Sequence, residues 1–129
     1  MIRKFFLVLA LAAAAGCAAD TSTAPITPVT HDPIVFVHGY GRTADDWNFM
    51  IAQFKAAGSA AAEIYTVTYG VLQSNVTIAD VIRTKVDSIL AHTSATRVDI
   101  VAHSMGSLSS RYYIRNLGGD TKVDAWVSL

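Results

Sequence analysis

Val98-Asp99-Ile100-Val101-Ala102-His103-Ser104-Met105-Gly106-Ser107-Leu108-Ser109-Ser110 is the stretch that decides how this chain folds. Its apolar start, Val98 to Ala102, reads as a short buried strand, and the small residues after Met105 open a helix. The join, Ala102-His103-Ser104-Met105-Gly106, has the form of a strand-to-helix nucleophile elbow of the G-x-S-x-G kind, with alanine in the first glycine place. A serine on so sharp a corner projects its hydroxyl above the sheet. Small residues two before and two after it let strand and helix pass closely. The helix N-terminus offers free N–H groups and a partial positive charge to a developing oxyanion. The plainer reading makes Ser104 a helix N-cap after a buried strand.

Upstream, Ile34-Val35-Phe36-Val37 is a continuous apolar run between Pro33 and Gly39, as suits a strand covered on both faces. His38-Gly39-Tyr40-Gly41-Arg42 comes next as a glycine-bearing loop. Thr43 is placed to cap a helix with Asp45 and Asp46 in its first turn, charges favoured at the positive end. Trp47, Met50, Ile51 and Phe54 recur at helical spacing, and Gly58 ends that helix. Ile64 to Tyr69 is rich in β-branched and aromatic residues and predicts a second strand. After a loop from Gly70 to Asn75, Thr77 to about His92 predicts a second helix with Ile78, Ile82, Val86 and Ile89 on one face. His92 reads as a surface residue favoured by the helix dipole. Downstream of the elbow, the helix runs from Met105 to Leu117 and stops at Gly118-Gly119. Val123 to Leu129 predicts a fourth, buried strand. This alternation implies an α/β fold: a mostly parallel sheet of about four strands with flanking helices.

The chain has 129 residues, enough for one domain with a modest core. A formal net charge of zero leaves no electrostatic footprint for nucleic acid. A single cysteine excludes an internal disulfide. Residues 1–19 predict an export signal: Arg3 and Lys4 precede Phe5 to Ala15, an apolar run too short to span a bilayer. A buried N-terminal helix is the alternative. Ala14-Ala15-Gly16-Cys17 resembles a bacterial lipoprotein cleavage box, in which Cys17 becomes the lipidated first residue and anchors the protein to a membrane. Ala14 stands where that box usually has leucine, and ordinary cleavage after Ala15 or Ala19 competes. The expected location is outside the bacterial cytoplasm, either secreted or as a membrane-anchored lipoprotein. Residues 20–32 form a Thr/Pro-rich tether, with His31 exposed and passive, and the folded domain occupies 33–129.

With His38-Gly39 after the first strand and A-H-S-M-G after the third, the chain resembles the α/β-hydrolase superfamily, and more closely the small class 2 bacterial lipases and esterases. The likeness runs from about Asp32 to Leu129 and includes K-V-D-A-W-V-S-L and Tyr112 to Leu117. Alanine in the elbow is a known variant there. Ser107 departs from the second glycine usual in that group, which predicts a slightly crowded turn. The resemblance implies that the first strand lies between the second and third, with the fourth outside the third. It places the loop His38 to Arg42 beside Ser104, at the carboxyl ends of the strands, where such sheets bind ligands.

The same resemblance implies roles for individual residues. Ser104 is the nucleophile, and the backbone N–H groups of Tyr40 and Met105 form the oxyanion hole. His38, Gly39, Ala102, His103 and Gly106 support the motif. His38 either holds its loop by a hydrogen bond or is a plain strand-end residue. His103 is not the general base, because neighbouring side chains on a tight turn diverge. Asp45 and Asp46 read as helix-start charges, and Asp99 as a strand residue with a local partner. Trp47, Tyr69, Val71 and Leu72 either wall an acyl pocket or, for Trp47, fill core. The implied activity is hydrolysis of ester or lipid substrates through an acyl-enzyme, with no cofactor and no metal. An acyltransferase or thioesterase on the same elbow, and a non-catalytic remnant of the fold, are the alternatives.

In this superfamily the triad order is serine, acid, histidine. No histidine comes after His103, and Asp120 and Asp124 come too early to be the acid. The sequence stops within the fourth strand, at Val127-Ser128-Leu129. The expectation is therefore an incomplete α/β-hydrolase fold, the N-terminal part of a longer enzyme. Losing the triad histidine costs about a million-fold in turnover and leaves about 10³ to 10⁴ over water, so these 129 residues alone are expected to be nearly inert.

Overall fold

Two short strands, β1 (Ile34–Val37) and β3 (Val98–Ala102), lie side by side at the centre of the sheet in a computed structural model that describes residues 27–129. The expected export signal, Cys17 and residues 20–26 of the expected tether lie outside the described residues. β2 (Ile64–Val67) flanks β1 and β4 (Val123–Ser128) flanks β3, so the order is β2-β1-β3-β4 and every pair is parallel. This is the order implied by the resemblance. Side chains alternate across a strand. Val35 and Val37 therefore face α2 (Asn75–His92) and α3 (Met105–Asn116), while Phe36 faces α1 (Asn48–Ala56). Cover on both faces is why β1 is apolar throughout.

The larger core joins Val35, Val37, Ile100 and Ala102 to Ile78, Ile82, Val86 and Ile89, the four α2 residues that share one face in the sequence. On the other face Trp47 packs on Phe36 with ring centroids 5.0 Å apart, and Phe54 meets the same ring edge-on.

Several boundaries differ from expectation, each for a local reason. Thr43 caps, but the first element after it is a tight 3-10 turn, Ala44–Trp47; Thr43 and Asp46 cap one another reciprocally and α1 starts only at Asn48. β2 ends at Val67 and not at Tyr69, because Val37↔Val67 is the last pair that the four-residue β1 offers. α2 begins at Asn75, two residues before the expected Thr77, because the Ser74 hydroxyl accepts the Thr77 N–H at 3.1 Å. β4 was expected to be buried and is largely exposed. It is the outer strand of the described sheet. Its Trp126 indole donates to Ser110 Oγ at 2.9 Å on one face. On the other, Val127 and Ala125 border an open groove with Ile34 and Phe54.

The end of the Thr/Pro-rich segment is docked on the domain. Thr27 bridges Thr93 in parallel, and the Val29 N–H donates to Ser94 Oγ. Glu63 secures the next two residues, Thr30 and His31. Its buried carboxylate accepts the Thr30 N–H at 2.7 Å, the Thr30 hydroxyl at 2.8 Å, the His31 N–H at 3.3 Å and the Ala60 N–H at 3.2 Å. His31 remains exposed, as expected. Donation from Thr30 above all holds the Glu63 carboxyl down at about 2, against an ordinary 4.5. A carboxyl whose folded value is lowered stabilises fully above pH 4.5 and loses that contribution as pH falls towards 2. Glu63→Gln is therefore expected to lower the denaturation midpoint at neutral pH, with the gap to the parent closing between pH 4.5 and about 2. A gap that is constant with pH would show that the carboxylate charge is irrelevant.

Candidate active site

The corner between β3 and α3 is built at the carboxyl ends of β1 and β3. Ser104 has φ 52° and ψ −121°, the only positive φ at a non-glycine among the described residues. Side chains avoid that region, and a residue held there implies a surrounding structure that enforces it. Here the enforcement is visible. The His103 N–H donates to the Val37 carbonyl at 3.0 Å, and the Ser104 N–H donates to the Leu129 carbonyl at 2.9 Å. After the corner, the Gly106 N–H returns to His103 O and the Ser107 N–H to Ser104 O, both at 2.9 Å. Ser104 stands at the N-cap position of α3, yet its side chain caps nothing and is exposed. It does not behave as the plain N-cap of the alternative reading.

Two glycines make the corner possible. A Cβ on Gly106 would lie 2.4 Å from the His38 carbonyl oxygen and 2.7 Å from that of Val37. A Cβ on Gly39 would lie 2.9 Å from His103 Nδ1 and 3.2 Å from Ser104 Cβ. The loop His38 to Arg42 thus rests directly against the serine. Among the described residues the N–H groups of Tyr40 and Met105 donate to no backbone or side-chain acceptor. The Tyr40 side chain is itself exposed. Ala102 is buried at the end of β3, where a larger side chain would press on the core.

Ser107, expected to crowd the turn, is instead a tie. Its buried hydroxyl donates to the Ala102 carbonyl at 3.0 Å, across the corner. The sequence signal was a small residue with a hydrogen-bonding arm, and only the geometry shows where the arm reaches. Ser110 and Ser109 continue the polar seam, to Ser107 O and to Asn75 Oδ1.

Of the two histidines nearby, neither carries a bond to the serine hydroxyl among the described residues. His103 is exposed beside it. His38 is 2% exposed, with Nδ1 2.9 Å from the Gly39 carbonyl and Nε2 buried without a partner. Tyr69 stacks on the His38 ring and donates its hydroxyl to the His38 carbonyl. Burial pushes the Tyr69 phenol up to about 12. A cleft of about 220 Å³ opens beside the corner, lined by His38, Gly39, Arg42, Asp46, Trp47, His103 and Leu129. Trp47 serves both as core and as cleft wall. Val71 and Leu72 are exposed and do not line it.

The remaining acids lie elsewhere. Asp46 pairs with Arg42 at 2.8 Å and accepts the Thr43 N–H, a helix-start role. Asp99 accepts the Ala125 N–H at 3.0 Å; its burial, with Asp32 and Asp124 nearby, raises its carboxyl above the usual range. Those three carboxylates approach within 4.8 Å of one another at the amino ends of the strands, away from the serine.

A model of the family described as lipase (class 2) matches residues 31–129. A triacylglycerol lipase of Burkholderia plantarii is 29% identical over 118 residues, covering 81% of this chain and 32% of its own length. The chain thus spans about a third of the curated relative it matches. Among solved structures, a Bacillus licheniformis lipase in its propeptide form superposes with a TM-score of 0.67 at 21% identity, over 78% of this chain and 23% of its own. A cutinase-like protein from Cryptococcus sp. does so with 0.60 at 17%, over 81% of this chain and 55% of its own. At these identities the superpositions establish the shared fold.

Proposed function

Because the chain belongs to the class 2 lipase family, we propose that it carries the nucleophile and oxyanion hole of a serine carboxylic-ester hydrolase. The observation that supports this reading is an exposed Ser104 held at a positive φ, on a corner whose loop and helix start each carry an N–H, at Tyr40 and Met105, with no acceptor among the described residues. The Ser104 oxygen attacks the ester carbonyl, and a general base takes the hydroxyl proton. The resulting oxyanion receives the N–H groups of Tyr40 and Met105. Collapse of the tetrahedral intermediate breaks the ester C–O bond, and the base returns its proton to the departing alcohol. Water, deprotonated by the same base, then attacks the acyl-serine. Hydrolysis releases the acid and restores the hydroxyl.

Neither His38, buried and turned to Gly39, nor His103, which makes no hydrogen bond to the serine hydroxyl, suits the role of base. We place the base and its acid in the part of the enzyme that corresponds to the unmatched length of the Burkholderia lipase. Residues 1–129 on their own are then a very weak catalyst, since a serine hydroxyl without a base is a poor nucleophile.

The test is turnover of a short p-nitrophenyl ester by the complete enzyme beside its Ser104→Ala form. The substitution is expected to reduce kcat by at least about 10⁴-fold. Equal rates would remove Ser104 from the mechanism.

A further inference from the structure

The proposed reaction makes no use of Tyr69, yet Tyr69 is bound twice to the loop that supplies an oxyanion donor. It stands two residues past the end of β2. Its ring lies over the His38 imidazole, centroids 4.0 Å apart and planes 16° from parallel, and its hydroxyl donates to the His38 carbonyl. His38 Nδ1 in turn lies 2.9 Å from the Gly39 carbonyl oxygen. A carbonyl only accepts, so Nδ1 carries the proton. The Gly39 carbonyl and the Tyr40 N–H are opposite ends of one planar peptide unit. Fixing the carbonyl therefore fixes the direction of the N–H.

Among the described residues His38 Nε2 has no hydrogen-bond partner. The tilt of the imidazole is thus set by the Nδ1 contact and by the tyrosine stacked on it. We propose that Tyr69 is a positioning residue for the oxyanion loop, a role that rests on the ester-hydrolase reading above. It clamps the His38 ring and carbonyl, and through them aims the Tyr40 N–H at the space beside Ser104. The peptides on both sides of Gly39 are then held, one by the Tyr69 hydroxyl and one by the His38 ring. Because burial raises the phenol, its hydroxyl remains a neutral donor across the ordinary working range.

Two variants separate the parts of the clamp. Tyr69→Phe keeps the stack and removes the hydroxyl, and Tyr69→Leu removes both. In the complete enzyme, kcat for a short p-nitrophenyl ester is expected to fall about threefold in the first and about thirtyfold in the second, with KM held within about twofold. The NMR order parameter of the Tyr40 N–H, which needs no turnover, is expected to fall from the rigid-backbone range, about 0.85, to below about 0.6 in Tyr69→Leu. An unchanged kcat in Tyr69→Leu, a change confined to KM, or an unaltered Tyr40 order parameter overturns the role. A change in KM alone would make Tyr69 a wall of the substrate pocket. Failure of the ester-hydrolase reading is separately visible, as an absence of Ser104-dependent turnover before any Tyr69 variant is compared.

Discussion

Ser104→Gly is expected to abolish ester turnover while making the protein more stable. The loss should reach about a million-fold in kcat, the scale on which removing an acyl-accepting serine acts when the rest of the machinery is intact. The gain comes from the backbone. At φ 52° and ψ −121° a side chain is strained, and a residue held in so sparsely populated a region costs about 1–3 kcal/mol. Glycine adopts that conformation without the penalty. Set against its greater flexibility in the unfolded chain, the net gain should be about 1 kcal/mol. Ser104→Ala keeps the Cβ and should show the same catalytic loss without the gain. Denaturation midpoints of the three proteins decide the matter. A glycine form no more stable than the alanine form would mean that the corner carries no strain.

Gly106→Ala is expected to be the most damaging single methyl in the elbow. The new Cβ would meet two carbonyl oxygens, those of His38 and Val37, at 2.4 and 2.7 Å. Both belong to the backbone of the central strand and the loop after it, so no side-chain end is available to swing aside. Helix α3 must lift from β1, at a cost of about 3 kcal/mol or more. The His38 carbonyl, already bonded by Tyr69, is pushed in the same movement, so activity should fall with stability. Gly41→Ala is the control: its φ is 66°, but nothing lies within 4 Å of an added Cβ, and only backbone strain of about 1 kcal/mol is expected. A Gly106→Ala protein within about 1 kcal/mol of the parent would show that the corner is looser than its contacts imply.

The sheet was legible in the sequence because its central strands are covered on both faces. Continuous apolar runs at Ile34–Val37 and Val98–Ala102 mark those strands to the residue. The elbow was legible because its small residues answer to a steric demand, now seen at Gly106. What escaped was decided by distant partners. The length of β2 is set by β1, which runs out at Val37, so Thr68 and Tyr69 look like strand and are not. The docking of Thr30 depends on Glu63, thirty-three positions away, and no local pattern announces it. The exposure of β4 depends on what neighbours it, which an apolar run does not specify. The Tyr69 clamp likewise joins the end of β2 to the loop after β1, and an aromatic residue after a strand has many ordinary uses.

Parallel strands give this domain a front and a back, and the docked segment from Thr27 to His31 is fastened to the back. Thr27 meets Thr93, ahead of β3, and Thr30 meets Glu63, ahead of β2, whereas Ser104 stands where β3 finishes. The described chain therefore begins, at Thr27, on the side of the domain away from Ser104. A surface, a bead or a fused protein attached on that side leaves the serine pointing outward, towards substrate arriving from the open solution.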